Sequence, residues 1–259
     1  MPRRSALRKL ALASTALAAA VPFSGWTAAR AEGPAAPGVT RAAAAMVAAS
    51  PVVPARHRAP GTVIVAVRSG RVLEVRSRPR GRVVARLGDR GEFGSRSAAP
   101  VFARRGRWLG IPVPQLPNDR LGWIDSRSKA ITLHRSTIVL RVDRARRSLE
   151  LRAGRQLVLR ARVGVGAPGS PTPAGRFAVT DKVAGSQFSA SYGCCVLALS
   201  AHQPHPPAGW QNGTRMAIHA TDAPSTIGAA ASAGCVHAAD STMHELMARV
   251  PVGTPVLIR

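Results

Sequence analysis

Aromatic side chains are scarce in these 259 residues: Phe, Trp and Tyr make up 4%, with a single tyrosine, Tyr192. Proteins that grip single-stranded nucleic acid stack bases on aromatic platforms, and no run of interleaved aromatic and basic residues exists here. Acidic residues are few as well, 12 against 37 Lys and Arg, which sets the formal net charge at +25. Lysine is nearly missing; Lys9, Lys129 and Lys182 are the three, and arginine carries the rest. The arginines are scattered and no helical reading motif accompanies them. Beside abundant Ala, Gly and Pro, that skew has the look of a GC-rich coding bias. No nucleic-acid partner is expected, and the charge reads as affinity for other polyanions. Cysteine stops at three, too few for a disulfide framework and odd enough to leave at least one thiol free. No HExxH motif or close Cys/His spacing offers a metal site, so neither metal nor cofactor is expected.

Long apolar runs are missing too. The one candidate, residues 10–23, is about fourteen residues long, short of the roughly twenty that a membrane-spanning helix needs. It follows MPRRSALRK and precedes a small-residue stretch ending in Ala29-Arg30-Ala31. A charged start, an apolar middle and an A-x-A-like end are the order of a secretory signal peptide. Residues 1–31 are therefore expected to be removed on export, with a retained anchor as the alternative. Arg3-Arg4 hints at the twin-arginine route, but the residues after it fit that signal poorly. Cleavage takes away five positive charges and no acidic one, leaving +20. The expected location is the cell wall or periplasm, with anionic envelope polymers as partners.

Three segments follow the leader. Residues 32–60 are rich in Ala and Pro with no periodic pattern, and read as a disordered linker. Residues 61–134 change texture: short apolar or alternating runs are punctuated by Gly, Pro, Asn or Asp every eight to twelve residues, the pattern of a small all-β unit. VRSRP, GRWLGI and LGWI resemble the strands and turn of bacterial SH3-like wall modules. Trp108 and Trp123 are then either ligand contacts or fillers of the small core. Residues 135–259 form a second, mainly β domain. STIVLRVDRARRSLELRAGRQLVLRARVGVG predicts three strands with turns at Asp143–Arg147 and Ala153-Gly154, Leu149/Leu151 and Leu157/Leu159 sharing the apolar phase. DSTMHELMARV predicts a helix capped by Asp240 or Ser241, and VPVGTPVLI a final strand.

The chemistry gathers near the end, in SAGCVHAAD. Cys235 follows Gly234 in a run of small residues, where a thiol has no packing purpose that Ala would not serve. A thiol turns nucleophilic beside a histidine or converging backbone N–H groups. If the loop runs straight into the helix, its free N–H groups make an oxyanion hole. Of seven histidines, His219 stands at the end of the apolar run MAIHAT, sixteen residues before Cys235.

The interval and the motifs around it resemble the catalytic domain of the L,D-transpeptidases (YkuD-like). That family shows a His, about fourteen to seventeen residues, then Ser/Thr-His-Gly-Cys. This chain carries His219, then Ser232-Ala233-Gly234-Cys235-Val236-His237; GSPTPAGRF and IHATDAPSTIG resemble further family segments. Three departures stand out: Ala233 replaces the usual His, His237 the usual Arg, and Ala220 the common Gly after the base. The resemblance implies a β-sandwich catalytic domain with a short helix after the cysteine loop. It implies that Cys235 attacks the carbonyl of the third residue of a donor tetrapeptide stem of peptidoglycan and expels the terminal D-alanine. His219 would act as base, Ser232 would orient the imidazole, and the N–H groups of Gly234 and Cys235 would hold the oxyanion. Tyr192 and His237 are candidate substrate contacts, each with packing as the alternative. An acceptor amine would resolve the thioester into a 3→3 cross-link, and water would give carboxypeptidase activity, from a monomeric enzyme. Cys194 and Cys195 read as buried thiols in a strand, with a strained vicinal disulfide as the alternative. Two rivals are a Cys/His stem hydrolase, whose commoner family has the reverse residue order, and a non-catalytic wall binder with a degenerate site.

Overall fold

The computed structural model describes residues 61–209 and 213–259, all within one unit spanning Pro54–Arg259. The expected leader (1–31) and linker (32–60) lie outside the described residues. From residue 61 the chain forms β1 (Thr62–Val67), β2 (Leu73–Arg76), β3 (Val83–Leu87), β4 (Ala98–Pro100), β5 (Ala103–Arg105), β6 (Trp108–Ile111), β7 (Gly122–Asp125) and β8 (Ile131–Ser136). These strands build two small sheets, ordered β4-β1-β8 and β3-β2-β7-β6-β5. Their apolar faces enclose one core containing Val65, Leu73, Val75, Ile111 and Ile124. Trp123 is buried with the Arg105 guanidinium 5.1 Å from its ring, whereas Trp108 is half-exposed against Arg107.

The second domain continues with β9 (Ile138–Asp143), β10 (Ser148–Ala153), β11 (Gln156–Arg162), β12 (Val165–Gly166), β13 (Gly175–Ala184), β14 (Cys195–His202), β15 (Arg215–His219), β16 (Ala230–Ser232), β17 (Val236–His237), α1 (Asp240–Arg249) and β18 (Pro255–Ile258). Eight of these strands form one sheet in the order β11-β10-β9-β18-β13-β14-β15-β17. The turns fall at the expected places: Asp143 Oδ1 accepts the Arg146 N–H at 2.9 Å, and Gly154 takes a positive φ. β14 is buried along seven of its eight residues, as a central strand covered on both faces must be.

Two local expectations are corrected. Leu157 does not share the buried phase of Leu159; it is exposed, because a bulge lets Leu151 pair with Leu159 but Arg152 with Leu157. One extra residue in the edge strand reverses which side chains face inward. Nor do Asp240 or Ser241 cap the helix. The N-cap is Ala239, Asp240 is already helical, and its Oδ1 accepts the Cys194 N–H at 3.2 Å instead. α1 is held by burial of Met243 and Leu246, each contributing about 2 kcal/mol, and by the Glu245–Arg249 pair one turn apart. No helix among the described residues is long and apolar enough to cross a membrane.

Candidate active site

Parallel pairing of β15 with β17 aligns Ile218 with Val236 and His219 with His237. Side chains alternate along a strand, so Ile218 and Val236 both go to the core, each fully buried. Ala217, Cys235, His219 and His237 are left to the other face. The two histidine rings lie 4.7 Å apart, and the Tyr192 ring lies 4.6 Å from that of His219. Sequence reasoning therefore named side chains that the fold gathers at one sheet edge.

His219 is 5% exposed, and its Nδ1 lies 2.5 Å from the Ala220 carbonyl. A carbonyl only accepts, so Nδ1 carries the proton and Nε2 keeps the lone pair. Burial, followed by the neighbouring His237, pushes the imidazole down to about 4, against a smaller upward pull from the Ala220 bond. Ala220 fits in place of the commoner glycine because Gly193 faces it: a Cβ there would stand 2.5 Å from the Ala220 methyl. Thr226 donates its hydroxyl to the Ala223 carbonyl, so it accepts from His237 Nδ1 at 2.9 Å. His237 is thus anchored by its side chain as well as by paired backbone bonds to Gly164.

Cys235 is the one free cysteine. It is half-buried and lines a cavity of about 470 Å³ with Phe93, Phe188, Tyr192, Met216 and Ala217. Enclosure of the sulfur pushes the thiol up to about 11, and a bond with the Ala217 backbone opposes this. Among the described residues no hydrogen bond joins the thiol to the His219 ring. With the imidazole pushed down and the thiol pushed up, neither shift favours an ion pair.

The loop departs from expectation in two respects. It does not run straight into the helix, because β17 intervenes and binds the chain to β15. Ser232 does not orient the imidazole, a task done by the Ala220 carbonyl. Its hydroxyl is used up inside the turn, donating to Cys235 O at 2.6 Å and accepting the Gly234 N–H at 3.1 Å. That bond also diverts the Gly234 N–H from the expected oxyanion hole and leaves the Cys235 N–H.

Two braces escaped sequence reasoning. Thr172 donates to Gly234 O at 2.6 Å and accepts the Gly166 N–H at 2.9 Å. Gln203, 5% exposed, directs its amide nitrogen at the carbonyls of Ser170, Pro171 and Ala233, 2.9–3.2 Å away. Thr172 lies in the conspicuous GSPTPAGRF segment; nothing around Gln203 marked it. Cys194 and Cys195 are joined to each other, not separate thiols. Cys194 precedes β14, which frees it from the alternation that sends neighbouring strand side chains to opposite faces. His244 lies close enough that its ring and the two sulfurs fall within 4.8 Å of one another, a cluster the sequence spacing did not suggest.

Residues 137–258 match the YkuD family model, the L,D-transpeptidase catalytic domain. Among solved structures, the chain is similar to a Bdellovibrio bacteriovorus protein at 22% identity and a TM-score of 0.38, covering 48% of each chain. It is similar to an L,D-transpeptidase from Mycobacterium smegmatis at 16% identity and 0.37, covering 54% of this chain and 72% of that one. For an Enterococcus faecium L,D-transpeptidase the values are 18% and 0.40, covering 61% and 73%. The chain thus spans about half the length of the Bdellovibrio relative. No curated protein matches it.

Proposed function

We propose that the protein is a cysteine-dependent L,D-transpeptidase that forms 3→3 cross-links between peptidoglycan stems, a reading supported by the match of residues 137–258 to the L,D-transpeptidase catalytic-domain model. The observation that carries this reading is the pairing of register and hydrogen bonding at the sheet edge. The only free thiol shares a face with an imidazole whose Nδ1 is committed to Ala220 and whose Nε2 is available.

In the first half-reaction, Cys235 Sγ attacks the carbonyl carbon of the third stem residue while His219 Nε2 takes the thiol proton. The Cys235 backbone N–H is the donor left for the developing oxyanion; one such donor is worth about 3 kcal/mol in other acyl-transfer enzymes. The C–N bond to the terminal D-alanine then breaks, and His219 returns the proton to the departing amine. In the second half-reaction, a side-chain amine of the acceptor stem attacks the thioester and gives up a proton to His219. The C–S bond breaks and the thiol is restored. Water in place of the amine yields a free carboxylate, the L,D-carboxypeptidase outcome. Because the resting pair is neutral, proton transfer accompanies attack and no preformed thiolate is needed.

The test is intact-mass analysis after incubation with a carbapenem, alongside D-alanine release from a tetrapeptide stem. One solved L,D-transpeptidase is a complex with imipenem, and an Enterococcus faecium catalytic domain is acylated by ertapenem. A single adduct that maps to Cys235, together with D-alanine release, is the expected result. An unmodified mass with no release would reject the enzyme and leave a wall-binding protein. Export belongs to the same reading, and so do a wall or periplasmic location and an SH3-like role for the upstream unit. The form recovered from the envelope should begin at Glu32, as N-terminal sequencing will show; an intact leader would mean an anchor.

A further inference from the structure

Residues 89–96 of the upstream unit fold into a tight loop closed by bonds from Gly91 N to Ser95 O (2.7 Å) and from Gly94 N to Gly91 O (3.1 Å). Its tip is fastened to the catalytic domain at β13 and β15. The fully buried Asp181 accepts the Phe93 and Ser95 N–H groups on Oδ1 at 3.2 and 3.1 Å. The Ser95 hydroxyl accepts the Lys182 N–H at 3.1 Å, and Glu92 pairs with Arg215, which also binds Leu199 O and Thr180. Asp181 sits where the β13–β14 register slips. These bonds fix the loop's backbone, so the Phe93 side chain is aimed by the backbone it hangs from.

It is aimed at the thiol's cavity. Phe93, Tyr192 and Cys235 pack against the same small cluster of Val183, Val196 and Ala217. The Phe93 ring meets Phe188 edge-on at 5.4 Å, Phe188 meets Tyr192 at 5.1 Å, and Tyr192 meets His219. Every other side chain lining that cavity comes from the catalytic domain. Resting on the donor-site reading above, we propose that Phe93 is an apolar wall of the donor-stem site. The upstream unit thereby completes the pocket and selects the stem by contact with its aliphatic parts.

The experiment compares the full chain with Phe93→Ala, Phe93→Leu and Asp181→Ala, measuring kcat and KM for D-alanine release and the Cys235 alkylation rate with iodoacetamide. Loss of one buried apolar contact of this size should raise KM about tenfold in Phe93→Ala. Phe93→Leu should recover much of it, with kcat within about twofold of the parent. Iodoacetamide, too small to use the wall, should alkylate Phe93→Ala at least as fast as the parent. Asp181→Ala, which frees the loop, should show the same KM rise; if that chain does not fold, the Phe93 pair decides. An unchanged KM in Phe93→Ala from an active parent overturns the wall alone. A parent that releases no D-alanine overturns the donor-site reading and the wall with it.

Discussion

Replacing Cys235 by serine is expected to lower D-alanine release by at least about 10³-fold and to abolish the carbapenem adduct, with the fold retained. The two side chains are nearly isosteric, but an imidazole held down to about 4 is too weak a base to activate a hydroxyl. The same variant reads the thiol's resting state. With the parent thiol pushed up to about 11, the far-ultraviolet thiolate step should appear only well above neutral pH, and Cys235→Ser should lack it. A step near neutrality would mean a preformed ion pair. The acid limb of kcat/KM should lie near pH 4, since His219 stays unprotonated down to there. The stability contribution follows the same groups with opposite signs. His219 binds its proton less readily when folded, so its contribution is present above about 6.5 and is lost as pH falls through about 4. Cys235 holds its proton more tightly when folded, so its contribution is present below about 9 and is lost as pH rises through about 11.

Gly234→Ala is the second substitution with a large expected effect. Its φ of +127° is one that side chains rarely adopt, and an added Cβ would stand 2.1 Å from Gln203 Nε2. Either the loop moves or Gln203 lets go of the Ser170, Pro171 and Ala233 carbonyls. Strain and lost hydrogen bonding together should cost about 3 kcal/mol in a denaturant melt. A displacement of the sulfur near 1 Å should lower turnover about 10²-fold. Combining Gly234→Ala with Gln203→Ala makes room for the methyl but leaves the backbone strain, so it should recover only part of the loss. Wild-type turnover and melting in Gly234→Ala would show that the close approach does not hold the thiol in place.

Much of the site was legible because its chemistry is local in sequence. Gly234-Cys235 and the strand-end His219 announce themselves by residue type and spacing. The hairpins from Ile138 to Arg162 announce themselves by alternation broken at Asp143 and Gly154. What sequence reasoning missed depends on partners far along the chain. The family resemblance points Ser232 at the imidazole, but its short hydroxyl reaches only its own turn. Gln203 acts across three separate segments, and no local pattern records that. The bulge that exposes Leu157 is one residue of slippage, invisible to a period-two reading. The union of Cys194 with Cys195 depends on where β14 begins, a boundary set by the turn before it. The upstream unit's hold on Asp181 crosses nearly ninety residues. Asn118 shows the same distance effect: the contacts of its turn could not be read from sequence, and the structure pairs its side-chain amide with both backbone groups of His202 at 2.6 and 2.7 Å.

The place of β18 in the sheet bears on when this protein is able to fold. Residues 255–258 lie between β9 and β13, parallel to the first and antiparallel to the second. Until the ribosome has made them, the hairpin carrying β9 to β11 and the strands carrying His219 are two half-sheets with unpaired edges. Pairings of such long sequence separation form late and slowly. The pairings that join the two halves of the sheet are therefore among the last to form, once residues 255–258 take their place between β9 and β13. The surroundings of Cys235 and His219 are complete only when the two halves are joined.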